Sequence, residues 1–121
     1  MTRNYRRERA HETETIIARY LAENGWPYCE PVGAGRQGAD LTGTPGLAFE
    51  IKARRDLNLP AWLRQASLDS RGGVPLLIHR PDGFGPATVS TWPVSMRLAD
   101  AVSLLHLAGW GTPPASTGKE S

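Results

Sequence analysis

The chain has 121 residues, 40% of them hydrophobic, a net charge of +2 and a single cysteine, Cys29. That is material for one domain with a modest core. It excludes an internal disulfide and a cysteine-built metal centre, and no run approaches the roughly 18 apolar residues of a membrane helix.

Arginine supplies twelve of the fourteen basic residues, and its placement is uneven: Arg3, Arg6, Arg7 and Arg9 open the chain, and Arg54 and Arg55 follow Lys52. Guanidinium forks match phosphate oxygens, so the clusters point to a polyanionic partner. A high-GC codon bias explains arginine in place of lysine but not this positioning. The start of the chain is polar and helical in character, unlike an apolar signal segment. With the lone cysteine it fits a reducing cytoplasm.

The spacing predicts a first helix from about Tyr5 or Arg7 to Asn24, stopped by Gly25 with Pro27 beyond. Ala10, Ile17, Tyr20 and Leu21 form its apolar stripe. Glu14 lies on the edge of that stripe, whereas Glu8 and Glu12 point away. An acid tucked against a core face needs a cation or a metal as partner, the alternative being a snorkelling glutamate favoured by the helix dipole. Tyr28 to Val32 is a predicted strand. The loop Gly33-Ala34-Gly35-Arg36-Gln37-Gly38 is glycine-rich, yet it has neither the context nor the Lys-Ser/Thr of a phosphate-binding loop.

Ala39 to Thr42 and Leu47 to Lys52 are predicted to pair as a hairpin about the turn Gly43-Thr44-Pro45-Gly46. Side chains alternate faces along a strand, so Glu50 and Lys52 share one side while Phe49 and Ile51 enter the core. The turn returns Asp40 to Glu50, and two carboxylates then meet one amine. Such a group can hold a divalent ion beside an attacking water, or it can be a salt-bridge cluster on a hairpin.

A second helix is expected from Leu59 to Ser70, with Pro60 in its first turn and Gly72-Gly73 ending it. A buried strand over Val74 to His79 follows, then a turn at 81–86 and a fifth strand over Ala87 to Thr91. Pro93 is expected to open a third helix with Val94, Leu98, Ala101, Val102 and Leu105 at helical spacing. From Gly109 the Gly/Pro/Ser/Thr-rich chain is expected to form a disordered tail, 109–121, behind a domain of 1–108. His11, His79 and His106 have no ligand spacing, and Trp26, Trp62, Trp92 and Trp110 suit packing better than base stacking.

Asp40, Glu50-x-Lys52 and the order α-β-β-β-α-β-β-α resemble the PD-(D/E)xK nuclease superfamily, with Ala39 where the signature has proline. Glu14 lies eleven residues before Gly25, and Gly72-Gly73-Val74-Pro75 precedes an apolar strand. In these the chain looks like the archaeal-type Holliday junction resolvases and related small phage nucleases. The resemblance implies an α/β restriction-endonuclease-like core, a mixed β-sheet flanked by helices. It also implies Mg²⁺ or Mn²⁺ on Asp40, Glu50 and the Ile51 carbonyl, with Glu14 joining through water or a second ion. Lys52 would act on the water, and Gln65 would face the site from the second helix. Arg6, Arg7, Arg9, Arg36, Arg54 and Arg55 are the expected DNA contacts. The implied function is paired cleavage of branched DNA by a homodimer, in a bacterial cytoplasm or, if phage-encoded, that of the host. A less selective nuclease and a catalytically idle DNA-binding module remain the alternatives.

Overall fold

The computed structural model describes residues 2–33, 38–56 and 58–115, with side chains from Tyr5 onward. Helix α1 (Thr2–Glu23) is followed by the short strands β1 (Glu30–Pro31) and β2 (Leu41–Thr42) and by β3 (Leu47–Lys52). Then come α2 (Leu59–Asp69), β4 (Val74–His79), a 3-10 helix (Pro86–Thr91), β5 (Val94–Ser95) and α3 (Leu98–Leu107). The chain is therefore mixed α/β, and among the described residues no helix is long and apolar enough to cross a membrane.

β3 and β4 run parallel, from Leu47 opposite Val74 to Lys52 opposite His79, and β5 adds antiparallel to β4. α2 makes the crossover that a parallel pair requires. Its start is capped by the Asn58 side chain, which accepts from the Ala61 N–H at 3.4 Å, and Pro60 occupies the first turn as expected. Leu77 in the central strand is fully buried. On the opposite face, that of Leu76 and Ile78, Ile17 and Ala18 of α1 close on Phe49, Ile51, Cys29, Leu41 and Trp92. Cys29 is thus a small core residue, and burial pushes its thiol up.

α1 starts earlier than the spacing suggested and stops as expected. Gly25, at φ +123°, lets the Trp26 N–H reach back to the Leu21 carbonyl at 2.9 Å, which satisfies a terminal acceptor. Its buried side is Thr13, Ile17 and Ala18; Ala10, expected in the apolar stripe, is exposed.

Three other expectations need correction. Leu41–Thr42 pairs with β1 and not with β3, so the hairpin reduces to one main-chain bond, from the Asp40 N–H to the Phe49 carbonyl at 2.8 Å. The segment expected as a fifth strand, Ala87 to Thr91, is the 3-10 helix instead. Pro86 begins it, and the Thr88 N–H and hydroxyl turn back onto the Gly85 carbonyl, so local bonds replace a ladder. The actual fifth strand contains Val94, which the helical pattern had claimed; α3 therefore starts at Leu98, after the Arg97 cap. Gly109 and Trp110, where the tail was expected to begin, are hydrogen-bonded to the end of α3, the Trp110 N–H donating to the Leu105 carbonyl at 2.8 Å. Residues 116–121 of the expected tail lie outside the described part.

Candidate active site

Asp40 is fixed by its main chain from two sides. Its N–H donates to Phe49, and its carbonyl accepts from Val32 N–H at 2.9 Å, so it joins the two small sheets. Its side chain then reaches across: the Ile51 N–H donates to Asp40 Oδ2 at 2.7 Å. Lys52 is turned toward β4, its carbonyl accepting from the Arg80 N–H at 2.9 Å. Successive strand residues point their main-chain groups to opposite edges, so the Ile51 carbonyl shares the Asp40 side with its N–H.

Alternation does the rest. Phe49 and Ile51 are buried, while Glu50 and Lys52 emerge together, with Lys52 Nζ 3.8 Å from Glu50 Oε2. Glu14 arrives from α1, half-buried, close enough for its charge and that of Asp40 to act on each other. The carboxylates are under mutual strain. Burial, then the charge of Asp40, pushes Glu50 up to about 7, and Lys52 only partly opposes this. Asp40 is raised by burial, against the pull of the Ile51 N–H and Lys52; Glu14 is raised by burial and by Asp40. More negative charge converges here than the one ammonium balances.

α2 adds residues that the sequence reading missed. The charge of Asp69 raises both Asp40 and Glu50. Gln65, exposed on α2, does not touch the carboxylates of Asp40 or Glu50; its Nε2 donates to both Asp69 oxygens, at 3.2 and 3.3 Å. Trp62 underlies the lysine, whose Nζ sits 5.6 Å from the indole centroid. Trp62, Gln65 and Asp69 are spaced i, i+3, i+7, one face of a helix, and that periodicity was the available signal. His79 is structural here: its Nε2 is 2.8 Å from the Arg54 carbonyl and its ring tilts against Trp62.

Beside Lys52 opens a groove lined by Tyr5, Arg6, Arg9, Arg54 and Arg55. Arg54 and Arg55 are exposed and paired with Asp56 and Asp82 at 3.6 and 3.1 Å. Arg7 is exposed on α1 outside that lining, and Arg36 lies outside the described residues. Among the described residues no three His, Cys, Asp or Glu side chains converge closely enough to hold an ion between them. Asp40 Oδ2 sits on the Ile51 N–H, main-chain geometry puts the Ile51 carbonyl on that same edge, and Glu50 is near enough for the charge of Asp40 to raise it. Two carboxylates and a main-chain oxygen, completed by water, fit a hard divalent cation that keeps part of its hydration.

Compared with family models, curated proteins and solved structures, the chain matches none.

Glu12 corrects the helical wheel in a different way. It does point away from the carboxylate group, but it is not idle. Arg80, buried at the end of β4, donates to Glu12 Oε1 at 2.6 Å, to Thr13 Oγ1 at 2.9 Å and to the Phe84 carbonyl at 2.7 Å. Its guanidinium also sits 5.5 Å from the Trp92 ring.

Proposed function

We propose that the protein is a metal-dependent DNA endonuclease of the PD-(D/E)xK kind, with a restriction-endonuclease-like core, acting on four-way junctions. One observation carries this reading: Asp40, fixed on the Ile51 N–H, and Glu50, 3.8 Å from Lys52 Nζ, stand beside a groove lined by Lys52, Arg6, Arg9, Arg54 and Arg55, and burial with mutual repulsion raises both acids and the half-buried Glu14. Acids whose ionised forms repel one another at neutral pH are poised for a cation, and arginines in a groove are poised for phosphates.

Asp40, Glu50 and the Ile51 carbonyl would hold Mg²⁺ or Mn²⁺, with Glu14 joining through water. The ion, when bound, offsets the charge that grows on the scissile phosphate. Lys52, held between Glu50 and the Trp62 face, keeps its ammonium beside the position of the attacking water and orients it. Gln65 acts at one remove by fixing Asp69. The choice of a junction rests on the resemblance to resolvases through Glu14, Gly25 and the Gly72-Gly73-Val74-Pro75 strand entry.

The test is cleavage of a labelled four-way junction, a linear duplex and a flap with Mg²⁺, Mn²⁺ or EDTA. Symmetric junction cutting that EDTA abolishes is expected. Asp40→Asn, Glu50→Gln and Glu14→Gln should each slow it by orders of magnitude without weakening DNA binding. Equal cutting of linear duplex moves the protein to the less selective nuclease, and DNA binding with no cleavage of any substrate moves it to an idle module.

A further inference from the structure

Tyr5 is 63% exposed, and it lines the groove beside Lys52 together with Arg6 and Arg9. A lone exposed aromatic side chain is ordinary; the company of this one is not. Tyr5 and Arg9 are an i, i+4 pair, so the first turns of α1 hold the ring and a guanidinium as neighbours on one side of the helix. Arg6 and Lys52 add two further cations to the same walls, and Ala10, Ile51 and Ala53 supply apolar surface between them. The groove has a volume of about 720 Å³, within the roughly 300–1,000 Å³ of clefts that take a small organic ligand.

Cations beside an aromatic face are the two components of single-strand recognition: the charges follow the phosphates, and the ring stacks on a base. A paired duplex uses only the first. Its bases already cover one another's faces, so it presents phosphates and base-pair edges, and the ring would gain nothing from it. An unpaired nucleotide presents a charged phosphate and a free π-face together, which is the combination this groove answers.

We propose that Tyr5 is a base-stacking residue, and that the groove takes an unpaired nucleotide at a DNA branch, its base on the Tyr5 ring and its phosphates on Arg6 and Arg9. This rests on the reading of the groove as the DNA path and deepens it, since the feature selected is a base released from pairing in the same groove as Lys52. The arginines then supply affinity for any DNA, and the tyrosine supplies the preference for a branch.

Fluorescence anisotropy in EDTA tests it with no cleavage, on a labelled single strand, a flap and a blunt duplex. Tyr5→Ala should bind the single strand and the flap about tenfold more weakly, the scale of one stacked base, and the blunt duplex within about twofold of wild type. Tyr5→Phe keeps the ring and should restore the affinity. Tyr28→Ala removes an exposed tyrosine outside the groove and should change nothing. The log–log salt slope should be the same in Tyr5→Ala as in wild type, because no charge is removed. Circular dichroism checks the fold of each variant. An equal loss on all three probes, or Tyr5→Phe as weak as Tyr5→Ala, overturns the proposal and leaves the nuclease reading standing. So does displacement of the single strand by free dAMP at equal concentration, which would make the groove a mononucleotide site. Failure of every DNA to bind overturns both readings. A Tyr5 difference that persists in a protein unable to cleave any DNA upholds the proposal and overturns the nuclease reading alone.

Discussion

Glu50 holds its proton more tightly in the folded chain than a free glutamate does, at about 7 against an ordinary 4.5. Between those values the native state binds more protons than the unfolded state, so this group's contribution to stability is present in full below about 4.5 and is lost as pH rises through about 7. Asp40 and Glu14 are raised as well and act in the same direction. Glu50→Gln removes the repelled charge. At pH 8 it should therefore raise the melting temperature by about 3–6 °C, on the order of 1 kcal/mol, with little gain at pH 4. Mg²⁺ should stabilise the wild type at pH 8 and leave this variant unmoved. A melting temperature that is flat from pH 4 to 8 in both proteins would contradict the strain.

Arg80 belongs to the same scale and the opposite case. Its charge is buried but fully answered by Glu12, Thr13 and the Phe84 carbonyl. Arg80→Ala takes the donor from buried Thr13 Oγ1 and from the Phe84 carbonyl, while exposed Glu12 turns to water, and should cost about 1–3 kcal/mol by chemical denaturation. Glu12→Gln, whose own side chain is largely exposed, should cost about 1 kcal/mol or less. Equal losses would mean that the ion pair, and not the buried network, holds α1 to the end of β4.

Among the elements, the turn between β2 and β3 carries the most geometric demand. Gly43 has φ +82°, and a Cβ there would lie 2.1 Å from the Tyr28 carbonyl oxygen. Gly43→Ala is both left-handed and sterically blocked, so it should unfold the chain or cost several kcal/mol in a denaturant titration. Gly46→Ala has open space and should cost only about 1 kcal/mol for its conformation. The contrast shows what the sequence could and could not convey. Asp40, Glu50 and Lys52 were legible because strand alternation is a local rule and the Gly43–Gly46 turn is compact. Glu14 was legible from the helical wheel. The 3-10 helix at Pro86–Thr91 was not, because Ala87 to Thr91 has strand-like composition and only the local bonds to the Gly85 and Thr88 carbonyls decide otherwise. Asp69 shares a helix face with Trp62 and Gln65, but that spacing does not say what the face meets; the crossover of α2 between parallel strands brings it to Asp40. Arg80 looked like one more arginine, since burial of a charge is a tertiary fact.

For the molecule as a whole, the modest net charge of +2 conceals a separation of sign. Acids gather at the site while Lys52, Arg6 and Arg9 line the groove beside it, together with Arg54 and Arg55, which Asp56 and Asp82 partly offset. Under the nuclease reading, DNA affinity should fall steeply with salt. Arg6→Ala/Arg9→Ala should weaken binding to all sequences alike and reduce the log–log salt slope by about 2, which fluorescence anisotropy can measure. An unchanged slope would remove the first turns of α1 from the DNA path.

The bond from the Ile51 amide to Asp40 gives the chain a spectator of its own chemistry. At 2.7 Å to a carboxylate oxygen, that proton should resonate well downfield of its neighbours, and its shift should move whenever Asp40 gains a proton or a cation. A single amide peak in a nitrogen-labelled sample can thus follow magnesium or acid titrations in the resting protein, with no nucleic acid present and no turnover required.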